Sequence, residues 1–161
     1  MMTKEKASND LMLDQSALTE GLVKLNYLLA DYHVFYQNLR GLHWNIKGRF
    51  FFGLHEKFEE LYLEAAQHID DIAERILTLG GVPLHTLEDF VANAKLSPAK
   101  NVENGETAIA VVLEDSQYFL THFREILTRA ADIGDEGTVD LISNLIALTE
   151  KRIWMFSSLL K

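Results

Sequence analysis

His55 and Glu59 stand four residues apart, and so do Asp70 and Glu74. On a helix that spacing puts the members of each pair on adjacent turns of one face. Imidazole nitrogen and carboxylate oxygen are donors that divalent first-row metals accept, so each pair makes a two-ligand unit. The surrounding stretch, GLHWNIKGRFFFGLHEKFEELYLEAAQHIDDIAERI from Gly41 to Ile76, is crowded with further carboxylates. These four must therefore be told apart from an ordinary wet helix face.

A helical wheel separates them. With His55 at zero and about 100° per residue, the apolar stripe from Leu54 to Leu79 centres near −80°. Glu56, Lys57, Glu60, Glu64, Gln67, His68, Asp71 and Arg75 fall between roughly 100° and 220°, a solvated sector. His55, Glu59, Asp70 and Glu74 occupy a third strip between about 0° and 100°, with Leu63 and Ala66 among them.

One chain cannot join the two pairs. Glu59 and Asp70 are separated by roughly 16 Å of helical rise, whereas metal–ligand bonds are about 2 Å long. A second copy of the helix, antiparallel against the strip, brings them together. A two-fold axis between Glu64 and Ala65 maps position 59 onto 70 and 55 onto 74. Small Ala66 and apolar Leu63 would let the helices approach. Each of two identical sites then holds His55 and Glu59 from one chain and Asp70 and Glu74 from the other, an isologous contact. His43, joined to His55 by a Gly-bounded loop, can reach the same spot. His33, His68, His85 and His122 read as structural or solvated. Trp44, Phe50, Phe51 and Phe52 read as packing, able also to dry and shield a redox site.

The elements that must position these groups are sharply punctuated. Pro83 and Pro98 are the only prolines, and glycines cluster at 41–53, 80–81, 105 and 134–137. Four long segments lie between, at 14–40, 54–79, 106–133 and 138–160. The first repeats Leu18, Leu22, Leu25, Leu29, Tyr32, Tyr36 and Leu39 in steps of three and four, the helical period. No segment alternates with period two, so the chain is all-α. Helices of this length reach roughly 38 Å. The first and last connections are short; the middle one is long and carries TLEDFVANA, a short helix. Two hairpins joined by one long crossover describe a ferritin-like four-helix bundle, with a short helix between helices 2 and 3. Residues 1–13 read as a flexible N-terminal tail and 14–161 as one bundle domain.

Composition narrows the function. The chain has 161 residues, no cysteine and a net charge of −9. Thiolate zinc sites and iron–sulfur clusters are excluded, and a cytoplasmic location is expected. No apolar run approaches the roughly 18 residues of a membrane span, and MMTKEKASND has no apolar signal core. HEKFE opens like a zinc-protease motif, but Glu59 stands where the second histidine belongs. No histidine has a glutamate three residues before it, so the Glu-x-x-His sites inside one bundle are also excluded.

The combined pattern His43-Trp44-Asn45, His55, Glu59, Asp70 and Glu74 resembles the Dps family, the miniferritins. The likeness spans about Leu18 to Leu160, including DDIAERILTLGG, DEGTVDLI and KRIWMF. It implies a homo-dodecameric shell built from two-fold dimers, with iron-oxidising sites at the dimer interfaces. His43, His55 and Glu59 would come from one subunit and Asp70 and Glu74 from its partner. Many members carry Asp at the position of Glu59; the longer side chain shifts where a second iron would sit. The implied activity is ferroxidase: oxidation of Fe(II), preferably by hydrogen peroxide, with ferric mineral stored inside and protection against oxidative stress as the result. Trp44 could quench a stray oxidising equivalent.

Asp135, Glu136 and Asp140 begin the last helix, where acids are stabilised by about 0.3–1 kcal/mol each. In the family this region lines a three-fold pore, so these acids are candidate metal-steering residues as well. An alternative is DNA compaction with iron secondary. Its lysine-rich tail is represented here only by Lys4 and Lys6, opposed by Glu5 and Asp10; nucleic-acid binding is not expected. A shell-less metal-binding dimer is the third reading.

Overall fold

The computed structural model describes residues 11–161, and the expected tail up to residue 10 lies outside them. Five helices follow in order: α1 Gln15–Asn45, α2 Phe51–Thr78, α3 Leu87–Asn93, α4 Gly105–Asp132 and α5 Glu136–Leu159. No strand occurs among the described residues. The all-α reading and the crossover carrying a short helix are both what the structure contains. Each long helix is capped at its start by an expected residue type except α2. Asp14 accepts from the Ser16 N–H. Asn104 accepts from the N–H groups of Glu106 and Thr107. Asp135 accepts from the Thr138 N–H. Such caps contribute about 1 kcal/mol each.

Two boundaries differ from the sequence reading. α1 runs through Gly41 to Asn45 rather than stopping near residue 40. A mid-helix glycine costs about 1 kcal/mol, and burial of Leu42, His43 and Ile46 offsets that. α2 begins at Phe51, three residues before the expected Leu54. His43 and Trp44 are thus helical, and the α1–α2 turn is only residues 46–50. Gly48 takes a positive φ of 98° there, and the Lys47 N–H donates to the Glu103 carbonyl at 2.9 Å. That bond ties the first hairpin to the start of the second.

The core is aromatic at its middle. Tyr32, Phe35, Phe58, Phe119 and Phe123 are each almost wholly buried. Phe119 lies 4.7 Å from Tyr32 and 5.3 Å from Phe35, ring centre to ring centre. His68 joins this core. The wheel placed it in the solvated sector, but it is 6% exposed and meets Tyr32 edge-on at 5.7 Å. The bundle wraps farther round α2 than its stripe of aliphatics suggests: Arg152 from α5, itself buried, reaches across to bond Glu64 at 2.5 Å.

The crossover is held by polar side chains of α1. Asn26 accepts from the Leu84 N–H at 2.8 Å and donates to the Val82 carbonyl at 3.2 Å. Asp31, 1% exposed, accepts from the N–H groups of Lys95 and Leu96 and from the Tyr118 hydroxyl. Asn38 accepts from the Ala99 N–H and donates to the Ser97 carbonyl and the Asp115 carboxylate. A loop without regular structure needs partners for its main-chain groups, and α1 supplies them. It thereby leaves the outer face of α2 uncovered by the crossover.

Candidate metal centre

The centre starts where α1 ends and α2 begins. His43 in the last turn of α1 and His55 in the second turn of α2 stack face to face, 3.7 Å between ring centres. Their main chains and rings exchange hydrogen bonds. His43 Nδ1 meets the His55 carbonyl at 2.7 Å, and His55 Nδ1 meets the His43 carbonyl at 2.8 Å. A carbonyl can only accept, so each Nδ1 carries the proton. Each Nε2 then holds its lone pair free, which is the form that ligates a metal. Phe51 stacks on the other face of His55 at 5.0 Å. The donor types suit a divalent cation: two neutral imidazoles with tautomer and orientation fixed, and a carboxylate one helical turn on from His55.

That carboxylate is Glu59, one turn beyond His55 and exposed. Its Oε1 accepts from the Tyr62 hydroxyl at 3.4 Å. Tyr62 also meets the His43 ring edge-on at 5.5 Å. Partial burial first, then the Glu59 carboxylate, raises the phenol pKa above its ordinary value, so Tyr62 stays protonated and donates. Tyr62 was absent from the sequence reading, although its place three residues after Glu59 was a usable signal.

Asp70 and Glu74 lie farther along the same face of α2, both exposed. The structure brings His43 and His55 together, with Glu59 near, and leaves Asp70 and Glu74 apart from them. Among the described residues of one chain, no three His, Asp or Glu side chains gather closely enough to hold a metal. Between the halves, Leu63 is 60% exposed and Ala66 is exposed. An apolar spot with a pair of candidate ligands at either end is what a self-complementary contact needs.

The other candidates separate. Asp135 is 4% exposed; it caps α5 and is ion-paired to Arg75, whose Nε donates to the Thr138 hydroxyl at 2.9 Å. The guanidinium lies so close to Gly137 that an added Cβ would stand 2.7 Å from Nη1. Glu136 and Asp140 are exposed. Trp44, expected in packing, is 57% exposed, with the Arg40 guanidinium 4.8 Å over its ring. Phe50 and Phe52 are exposed as well; of the four aromatics only Phe51 packs at the site.

Helical bundle, crossover and histidine–carboxylate strip together define a ferritin-like protein. The family described as a ferritin-like domain matches residues 22–161. A structure of a Dps protein from Vibrio cholerae, described as a member of a broad superfamily of ferritin-like diiron-carboxylate proteins, superposes with a TM-score of 0.94. It is 39% identical and the match covers 99% of this chain and 100% of that one. DNA protection during starvation protein 2 of Bacillus anthracis is 38% identical over 84% of this chain and 93% of its own length. An uncharacterized protein of Haemophilus influenzae is 41% identical over 91% of both. The chain belongs to the ferritin-like family and, within it, to the Dps family. No helix among the described residues is long and apolar enough to cross a membrane.

Proposed function

We propose that the protein is a ferroxidase and iron store: it oxidises Fe(II) at sites shared across a two-fold interface and keeps the ferric product in a hollow dodecamer. The observation that carries this reading is the reciprocal His43–His55 lock. It frees two Nε2 lone pairs at the end of a strip that continues through Glu59, and the strip's second half, Asp70 and Glu74, only a partner chain can bring alongside. Iron is the substrate and cargo. The imidazoles favour the divalent ion on arrival, and the carboxylates hold the trivalent product. With hydrogen peroxide as oxidant, two Fe(II) give up one electron each, the O–O bond breaks, and two protons complete two waters. Paired electron transfer releases no hydroxyl radical. Exposed Glu136 and Asp140, repeated about a three-fold axis, would focus cations at the way in. Asp135 supports that surface from beneath.

The name of the Bacillus anthracis relative speaks of DNA protection. In this chain a net charge of −9 argues for protection by removing iron and peroxide rather than by binding phosphate. A cytoplasmic location accords with that role.

The reading is tested by titrating Fe(II) anaerobically and then adding peroxide or dioxygen. Two irons oxidised per peroxide, faster than with dioxygen, and loss of the fast phase in His55→Ala are expected. Equal rates in His55→Ala and the unaltered protein would overturn the reading.

A further inference from the structure

His43 and His55 hold each other through main-chain carbonyls. Glu59 stands on an exposed helix face and has one of the more rotamer-rich side chains. The Tyr62 hydroxyl reaches its Oε1 at 3.4 Å, a long hydrogen bond that a bound ion would draw tighter. Tyr62 in turn is restrained: its ring meets Tyr36 edge-on at 6.0 Å and His43 edge-on at 5.5 Å. One residue thus touches a ligand of α1 and hydrogen-bonds a ligand of α2.

We infer that Tyr62 is a positioning residue of the metal centre: its hydroxyl engages Oε1 of Glu59, leaves Oε2 as the oxygen for the metal, and so makes a long carboxylate act through one oxygen beside the two imidazoles. This rests on the metal-centre reading and specifies how that centre uses glutamate. A carboxylate held by an outer hydrogen bond is already oriented when the ion arrives, and loss of such partners commonly weakens metal binding by about 10–100-fold. An aspartate at position 59, shorter by one methylene, could not reach the hydroxyl in the same way; the pairing of Glu59 with Tyr62 is the feature that fits the longer side chain to this place.

The test uses the assembled protein and Co(II) alone as probe, read by binding isotherm and by the visible ligand-field spectrum under anaerobic conditions. Tyr62→Phe keeps the ring contacts and removes only the hydroxyl. It should weaken Co(II) binding about tenfold, change the spectrum, and leave particle mass and melting temperature unaltered. With Fe(II) it should raise the concentration needed for half-maximal rate and leave the maximal rate nearly unchanged. In a Glu59→Asp background the Tyr62→Phe penalty should vanish. Co(II) affinity within twofold of the unaltered protein, with an unchanged spectrum, would overturn the inference, as would an equal penalty in the Glu59→Asp background. Glu59→Ala separates the two claims. If it binds Co(II) normally, the metal-centre reading itself fails. If it loses binding while Tyr62→Phe does not, only the role of Tyr62 fails.

Discussion

At the scale of single residues, buried polar groups divide into those that serve the site and those that burden the fold. His43 is buried with its Nδ1 bonded to the His55 carbonyl, so its burial fixes the orientation of a proposed ligand. Asp115 is the opposite case. It is 8% exposed and hydrogen-bonded to Asn38. Burial first, with the Glu114 and Asp31 carboxylates adding to it, pushes its carboxyl up to about 6. The folded state therefore binds a proton there between pH 3.8 and about 6 that the unfolded chain does not. Its ionised form costs stability in full above pH 6, and the cost fades as pH falls toward 4. Asp115→Asn retains an oxygen to accept from Asn38 and removes the charge. It should stabilise the protein at pH 7.5 by up to about 3 kcal/mol, two pKa units at 1.36 kcal/mol each, and by almost nothing at pH 4. Denaturant titrations of both proteins at one fixed concentration measure this. A gain that grows on acidification would contradict the assignment. His68 runs the other way: burial lowers its pKa, so the neutral ring is preferred in the fold and stability is lost as pH falls below the ordinary histidine value of 6.5.

At the scale of elements, the two long hairpins are joined by a crossover that α1 grips at Asn26, Asp31 and Asn38. Asp31→Ala would strip partners from the N–H groups of Lys95 and Leu96 and from the Tyr118 hydroxyl. A loss of roughly 3 kcal/mol is expected, together with faster amide exchange at residues 95–96 and unchanged protection in α2. Uniform loss of protection through all helices would mean that Asp31 supports the bundle rather than the crossover. The start of α5 is fastened separately, by Arg75 of α2. If the exposed acids gather cations as proposed, Glu136→Gln with Asp140→Asn should slow iron uptake several-fold and leave oxidation of bound iron intact. Asp135→Asn should behave differently. It leaves the Arg75 guanidinium, 17% exposed, without its counter-charge, and should lower stability by about 2 kcal/mol with a lesser effect on uptake. If all three acids slowed uptake equally with no change in stability, the buried clamp would not be the main role of Asp135.

At the scale of the whole molecule, what could be read in advance was what repeats. The helical period is stated many times along each helix, so four long helices and their antiparallel hairpins were legible, and so was the strip of His55, Glu59, Asp70 and Glu74. The grip of α1 on the crossover was not. Asn26, Asp31 and Asn38 each occur once, their partners in the crossover lie 56–65 residues away in sequence, and no spacing announces them. His68 was misplaced for a related reason: its neighbours Tyr32 and Arg152 come from other helices, and a wheel for one helix cannot know how far the bundle closes around it. The same wheel does make a demand on the assembly. In the proposed shell of twelve 18.3 kDa chains, about 220 kDa in all, the dimers must be two-fold for the ligand halves to meet. His55→Ala and Glu74→Ala, made separately, should each abolish fast peroxide-driven oxidation, since every site loses one ligand. When the two variants are dissociated, mixed and reassembled, half the dimers become mixed. In each mixed dimer one site collects both defects. The other takes His55 from the Glu74→Ala chain and Glu74 from the His55→Ala chain, and is whole. About a quarter of all sites should therefore recover under two-fold pairing. If one chain supplied every ligand of a site, nothing would recover. Inactive protein in which mass spectrometry finds the mixed dimers would rule out the shared site, whatever the fold resembles.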